Sequence, residues 1–399
     1  MTYSEYLFPN DMHIYWSLMI VTYPFITGLI AGAFMASALF HVFGLQELKP
    51  ISRFALLVSL AFMLCATLPL LFHLGHPERA LNVVVTPHWH SAMAGFGFIY
   101  SFYLVVLTME IWLSYWEEIV TYGRTSASGM KKTFWRAIAL GAGETSDDIK
   151  QANKKAIYIL GLIGIPSACT LHGYVGFIFG SLKSNPWWST PLMPQVFLLS
   201  AIVSGLALLI VMYVALSSKG YLTWSTKCLK TLCFYLWLAM LFYMISEGLE
   251  ILFFYYESSD AWFVISTLLF TKLWVSFVVV QIGIGVVVPF TLLSIMLFMK
   301  EDQGLYTTMA VIAAATALFE VWMMRWNIVI GGQQFSKSYV GFRSYHPEWL
   351  DQEGILTTMG LSLLPFFLLY VLTRILPMRE AAEATEEEKP LQSGEPAEQ

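Results

Sequence analysis

The sequence predicts an all-α membrane protein, a polytopic bundle of about nine transmembrane helices, and three observations carry that expectation. Hydrophobic residues make up 57% of the 399 and charged residues only 12%. Soluble domains run near ~25% charged, so this surface cannot be mostly water-facing, and lipid is the solvent that accepts an apolar exterior. Apolar stretches near ~20 residues, the length that crosses a bilayer core, recur along the chain. Basic residues collect in alternate connections. The net charge of -5 is modest, and no basic stripe suggests a nucleic-acid partner.

In order, the apolar stretches are 14–43, 53–74, 91–117, 156–182, 192–217, 232–256, 263–299, 306–329 and 355–376. Several exceed the crossing length, so tilt or extension past the headgroups is expected. The stretch 263–299 is the ambiguous one, because a single helix of that length would run ~55 Å. Either its first turns through Lys272 lie at an interface, or Pro289 kinks it, or it makes two crossings. Counts from about eight to about ten bracket the bundle accordingly.

The connections favour one crossing. Segment 118–155 carries Arg124, Lys131, Lys132, Arg136, Lys150, Lys154 and Lys155, and the next connection on that side holds Lys219, Lys227 and Lys230. Lys49 and Arg53, Lys300, and Arg374 with Arg379 join them on the same side if there are nine crossings. The positive-inside rule then places the N-terminus outside and the C-terminus in the cytoplasm. The start of the chain lacks the basic region of a cleaved signal peptide, so the first helix is expected to be retained. Four parts follow: an outer segment 1–13, a first bundle 14–182 with a cytoplasmic loop 118–155, a second bundle 190–376 with an outer loop 330–354, and a tail 377–399. From 380 onward the tail holds seven Glu against one Lys and reads as disordered.

Cys65, Cys169, Cys228 and Cys233 lie in or beside apolar runs with no CxxC, so no iron–sulfur cluster is expected on this chain. A two-haem wire would need repeated His pairs on facing helices. Only His172 lies within a helix body in the outer half, with His41 at the opposite side, so no haem and no other metal is expected.

Ionisable groups at membrane depth are costly and need partners or a function. Glu247 and Glu250 lie on the sixth stretch, His172 on the fourth, Glu110 on the third, Glu320 and Arg325 on the eighth, and Lys272 on the seventh. Interhelical ion pairs, Glu247 to Arg325 or Glu250 to Lys272, would satisfy them as packing devices. Alternatively, Glu247, His172 and Arg325 line a polar pocket in the outer half while Glu110 and Glu320 relay protons. His73, His76, Glu78, Arg79, His88 and His90 cluster at the outer ends of the second and third stretches. They read either as a helix end broken by Gly75 and Pro77 or as imidazole proton carriers, whose ordinary pKa suits that task. The stretch RWNIVIGGQQFSKSYVGFR at 325–343 leaves the membrane through aromatic anchors. Gly331 and Gly332 allow a tight turn or close backbone approach, and the segment is a candidate for folding back over a pocket.

Three of these places resemble the NrfD/PsrC family, the membrane subunits of respiratory molybdenum and iron–sulfur oxidoreductases. They are YPFITGLIAGAFMASALFH in the first helix, with its Gly28, Leu29, Ala31, Gly32 and Ala33 core; HLGHPERALN at 73–82, with His76 where the family has Arg; and RWNIVIGGQ at 325–333. Length and the late motif resemble the larger members, those of the periplasmic quinone reductase complex and of alternative complex III. The resemblance implies a quinone as bound substrate, menaquinone in preference to ubiquinone, in a pocket of the first four helices near the outer face. It implies quinone contacts from Tyr23, His73, Arg79, His90 and His172, with His172, His73, Glu247 and Arg325 in the chemistry and Glu110, Glu247 and Glu320 on a proton path. Its partners would be an extrinsic iron–sulfur subunit on the outer face, then molybdopterin-type or multihaem cytochrome subunits, in a bacterial or archaeal cytoplasmic membrane. Two rivals share the same residues: a purely structural anchor, and a secondary transporter, for which no persuasive inverted repeat is visible.

Overall fold

A computed structural model describes residues 13–126, 129–299, 303–335 and 341–378. The acidic start of the chain, Lys300, Arg379 and the Glu-rich tail lie outside the described residues. Among the described residues, nine helices are long and apolar enough to cross a membrane, as the sequence predicts. They are α1 (Leu18–His41), α2 (Lys49–Cys65, continued by Leu68–His73), α3 (Ala92–Ser114), α4 (Asp147–Gly180), α5 (Met193–Ser218), α6 (Thr226–Glu257), α7 (Trp274–Phe298), α8 (Gln303–Val329) and α9 (Ile355–Ile375). No strand is present among the described residues.

Local chemistry explains the ends and breaks. Ser17 caps α1 by accepting from the Met19 N–H at 3.2 Å. The break in α2 precedes Pro69, which has no N–H to return to the preceding turn. The stretch 263–299 resolves into one crossing. A short helix, Asp260–Phe270, ends at a turn through Lys272, and eleven residues span only ~16 Å, too little to cross. Beyond the turn, Trp274–Val287 is wound as a π-helix, and the chain returns to α-helix from Val288.

The core forms around α1 and α5. Helix α1 packs along α2, α4, α5 and α8, and α5 also packs along α4, α6 and α8. Packing therefore crosses the boundary drawn between residues 182 and 190, and α9 lies against α2. At the α1–α5 crossing, a Cβ on Gly32 would sit 2.6 Å from the Gly205 Cα, and one on Gly205 would sit 2.4 Å from the Gly32 Cα. Lipid gives helices no hydrophobic reason to associate, so close backbone approach over small residues supplies the contact. The small residues of the first motif have this as their physical task.

The late motif fixes the end of the bundle where α1 begins and α8 ends. Gly331 and Gly332 show no left-handed backbone; they allow close approach, since a Cβ on Gly332 would meet the Trp188 Nε1 at 2.3 Å. Trp188 donates to the Ile328 carbonyl at 2.7 Å, and Asn185 donates to the Gly332 carbonyl at 2.8 Å. Gln333 accepts from the Trp16 N–H at 3.1 Å and donates to the Trp16 and Val329 carbonyls at 3.0 and 2.8 Å. Trp16 in turn stacks on Trp188 with ring centroids 4.9 Å apart. Gln333→Ala is expected to cost about 2–3 kcal/mol, since each net hydrogen bond contributes about 1 kcal/mol and buried partners are left unmade. A melt followed by tryptophan emission checks it, and an unchanged transition with an unchanged Trp16 environment would refute the assignment.

Candidate functional site

Two polar constellations lie in the half of the bundle that holds His73. The first joins the start of α1, the end of α2 and the loop before α9. His73 Nδ1 lies 2.9 Å from a Glu353 carboxylate oxygen, and the same oxygen accepts from the Ser17 hydroxyl. Gln352 donates to the Phe72 carbonyl at 2.9 Å, so the loop is tied to α2 twice. Because a carboxylate only accepts, His73 presents N–H at Nδ1 and leaves Nε2 for another partner. Tyr345 accepts from the Leu18 N–H at 3.2 Å. Burial, with Glu353 and Asp351 close by, pushes its phenol up, so it remains a hydroxyl. A cavity of about 430 Å³ opens over Ser17 and Glu353, lined also by His13, Tyr345, His346 and Asp351.

Below that mouth, Tyr23 lies six residues into α1 from Ser17, ~9 Å along the axis. It is buried, its hydroxyl has no hydrogen-bond partner, and its ring meets Phe96 edge-on at 5.6 Å. Phe96, Tyr100, Tyr103 and Glu110 follow one another at helical spacing along α3. The Tyr100 hydroxyl donates to the Met63 carbonyl, whereas the Tyr103 hydroxyl and both Glu110 oxygens are buried without partners. A buried polar atom left unmade costs free energy, so each marks a place where a water, a proton or a ligand group would be stabilised.

The second constellation lies between α6, α7 and α8. Tyr243 donates to Glu320 at 2.6 Å, Gln281 donates to Glu247, and Asn327 donates to Gln281 at 2.8 Å. Glu250 and Asn327 each keep an unpartnered buried oxygen, and both line the same cleft as Glu247 and Gln281.

Neither ion pair considered from the sequence forms. Arg325 points to α5, donating to the Ser200 hydroxyl at 2.7 Å and the Phe197 carbonyl at 3.3 Å, with its guanidinium 3.8 Å from the Phe197 ring centroid. Lys272 donates to the Arg343 carbonyl at 3.1 Å and the Ser344 hydroxyl at 3.2 Å. For Arg325 the cause is helical geometry: residues 325 and 327 are ~200° apart around α8, so Arg325 faces α5 while Asn327 faces α7.

The remaining candidates are placed as follows. His172 is enclosed between α1 and α4, with Nδ1 2.8 Å from the Ala168 carbonyl and Nε2 against the Thr27 carbonyl. Arg79 and His90 are exposed on the connection between α2 and α3, where the rings of His88 and His90 meet edge-on at 5.7 Å. The structure thus brings His73 and Tyr23 to the α1 face and leaves Arg79 and His90 away from it. Sequence reasoning missed Glu353, which lies in an acidic loop 280 residues from His73 with no local signal. It also missed Gln281 and Tyr243, although a glutamine inside VVVQIGIG is a polar residue at membrane depth and could have been flagged. Among the described residues, no three His, Cys, Asp or Glu side chains converge as a metal site.

The profile of the family described as polysulphide reductase, NrfD, matches residues 8–337. The chain belongs to the NrfD family. Similar proteins are membrane subunits of reductase complexes. One is a selenate reductase subunit of Mesobacillus selenatarsenatis, 30% identical over 323 residues, which are 79% of this chain and 73% of that one. Another is the Hdr-like menaquinol oxidoreductase integral membrane subunit of Archaeoglobus fulgidus, 25% identical over 195 residues, 49% of this chain and 40% of that one. The NrfD-family match ends at residue 337, inside the loop ahead of α9, so Glu353, the partner of His73, lies outside the matched residues.

Proposed function

We propose that this chain is the quinone-reactive membrane subunit of a respiratory oxidoreductase complex. It exchanges electrons between the membrane quinone pool and an iron–sulfur cluster held by an extrinsic subunit seated on the His73 end. Membership of the NrfD family supports the setting, and the name of the Archaeoglobus relative supports menaquinone as the quinone. The observation that carries the site is the His73–Glu353–Ser17 linkage above a buried Tyr23 whose hydroxyl has no partner.

The residues fit the chemistry required of them. A two-electron, two-proton carrier needs a hydrogen-bonding group at each ring oxygen and a way to move protons. Glu353 holds the His73 ring through Nδ1, so Nε2 is oriented to exchange a proton with one ring oxygen. The Tyr23 hydroxyl donates to the other, and Phe96 supplies an aromatic wall. Glu110 and Tyr103 on α3 extend the polar line toward the opposite end, and Glu320 and Glu247 form a second set of proton carriers between α6, α7 and α8. By the positive-inside rule the His73 end faces outside and the Lys131 end faces the cytoplasm.

A fluorescent quinol-site inhibitor added to the purified complex tests the reading. Its emission is expected to quench saturably, and Tyr23→Phe, which removes only the unpartnered hydroxyl, weakens binding about tenfold, the effect of losing ~1.4 kcal/mol. No saturable quenching, with the complex intact, would leave the chain a structural anchor only.

A further inference from the structure

The connection between α3 and α4 carries a short helix, Gly129–Ile138, whose sequence GMKKTFWRAI holds three basic residues and no acidic one. One side of it is packed. Trp135 and Ile138 lie against the core, and Ala139 beyond them is buried. The Trp135 ring meets Tyr122 at 5.2 Å, and the Trp112 indole of α3 donates to the Ile138 carbonyl at 3.0 Å. A second side is apolar and exposed. Met130, Phe134 and Ala137 follow one another at i, i+4 and i+7 as a single stripe, with Met130 86% and Phe134 57% exposed. Lys132 and Arg136, each two positions from Phe134, stand ~160° round the helix from it.

Depth decides what covers that stripe. Phe102, Val105 and Met109 are exposed along α3, so the apolar face this helix turns to lipid reaches at least to Met109. Trp112, which holds the Ile138 carbonyl, lies three residues further on, only ~4.5 Å along the axis. The short helix therefore ends within one turn of the hydrocarbon, at the level of the headgroups. This is the end of the bundle that the positive-inside rule assigns to the cytoplasm. Helices that lie in such an interface join an apolar face to lysines and arginines, and the cytoplasmic leaflet supplies anionic headgroups for those cations. We propose that Gly129–Ile138 lies in the plane of the cytoplasmic membrane surface and that its partner is anionic phospholipid. Met130 and Phe134 enter the acyl chains, while Lys131, Lys132 and Arg136 reach the phosphates along their own apolar stems. The quinone site at the opposite end plays no part in this contact.

The photoreactive residue p-benzoylphenylalanine, placed singly at position 130, 134 or 132 of the full chain in its own membrane, tests it. Each variant is irradiated, purified as a folded size-exclusion peak and weighed intact. Positions 130 and 134 are expected to gain the mass of one phospholipid, and position 132 little or none. Anionic lipids are expected in those adducts at roughly fivefold their share of the membrane, the effect of one basic side chain at an anionic surface. Lys131→Gln/Lys132→Gln, combined with the probe at 134, abolishes that enrichment, whereas Lys131→Arg/Lys132→Arg keeps it, which separates lost charge from lost fold. Adducts to a protein at 130 or 134 would overturn the proposal in favour of a cytoplasmic partner. Failure of both positions to capture lipid would overturn it, as would equal capture at 132. Anionic and zwitterionic adducts in the membrane's own ratio would also overturn it, since the basic residues would then be reading nothing.

Discussion

In the assembled complex, His73→Ala is expected to lower quinone turnover by about 10²–10⁴-fold, the contribution of one positioned proton-transfer group. The variant removes the atom, Nε2, that the Glu353 bond leaves available, and it removes little packing, because the side chain is half-buried at the end of α2. Glu353→Gln is expected to lose less, up to about 10²-fold, because it leaves the imidazole present but no longer held by a charge-assisted bond. The order matters more than the size. If Glu353 only tied the loop to α2, Glu353→Gln would change thermal stability and leave turnover alone. Turnover by both variants at the rate of the unaltered complex, measured with the same quinone and with the extrinsic subunits still bound, would remove His73 from the chemistry.

The same pair of residues marks the limit of what could be read from the chain. All nine crossings were legible, because hydrocarbon admits no polar backbone alternative and the apolar length repeats nine times. Even the doubtful stretch followed a readable cue: Lys272 interrupts it, and its ammonium is drawn to the Phe342 and Arg343 carbonyls and the Ser344 hydroxyl. The RWNIVIGGQ segment was legible as special but not in its task. Arg325, Asn327, Gly332 and Gln333 each serve a different neighbour, respectively α5, α7, Trp188 and Trp16, and only the assembled bundle supplies those neighbours. Charge complementarity suggested Glu247 with Arg325. It failed because pairing depends on which face of α8 a residue occupies, and two positions along a helix turn a side chain nearly to the opposite face. His73 was legible as a polar group at a helix end, whereas its carboxylate partner arrives through the last loop, at a distance in sequence that no local pattern bridges.

Gly32→Leu is expected to have the largest effect on assembly. The Cβ alone would stand 2.6 Å from the Gly205 Cα and the Ile202 carbonyl oxygen and 2.8 Å from the Leu206 backbone nitrogen. These are backbone atoms of α5, so no rotamer change makes room, and α1 must move. Since α1 also touches α2, α4 and α8, moving it off α5 opens several interfaces together. An overpacked site ordinarily costs about 1–3 kcal/mol, and the absence of a yielding side chain puts this one at or above the upper value. Gly248→Ala is the matching control, because a Cβ there has no heavy atom within 4 Å. Fluorescence-detected size-exclusion melts of the two variants should separate sharply: Gly248→Ala at the parent midpoint or slightly above it, Gly32→Leu far below it or absent as a folded peak. Even Gly32→Ala is expected to lose most of the folded peak. A normal melt for Gly32→Ala would mean that α1 and α5 do not meet at Gly32 and Gly205, and the central contact of the bundle would have to be redrawn.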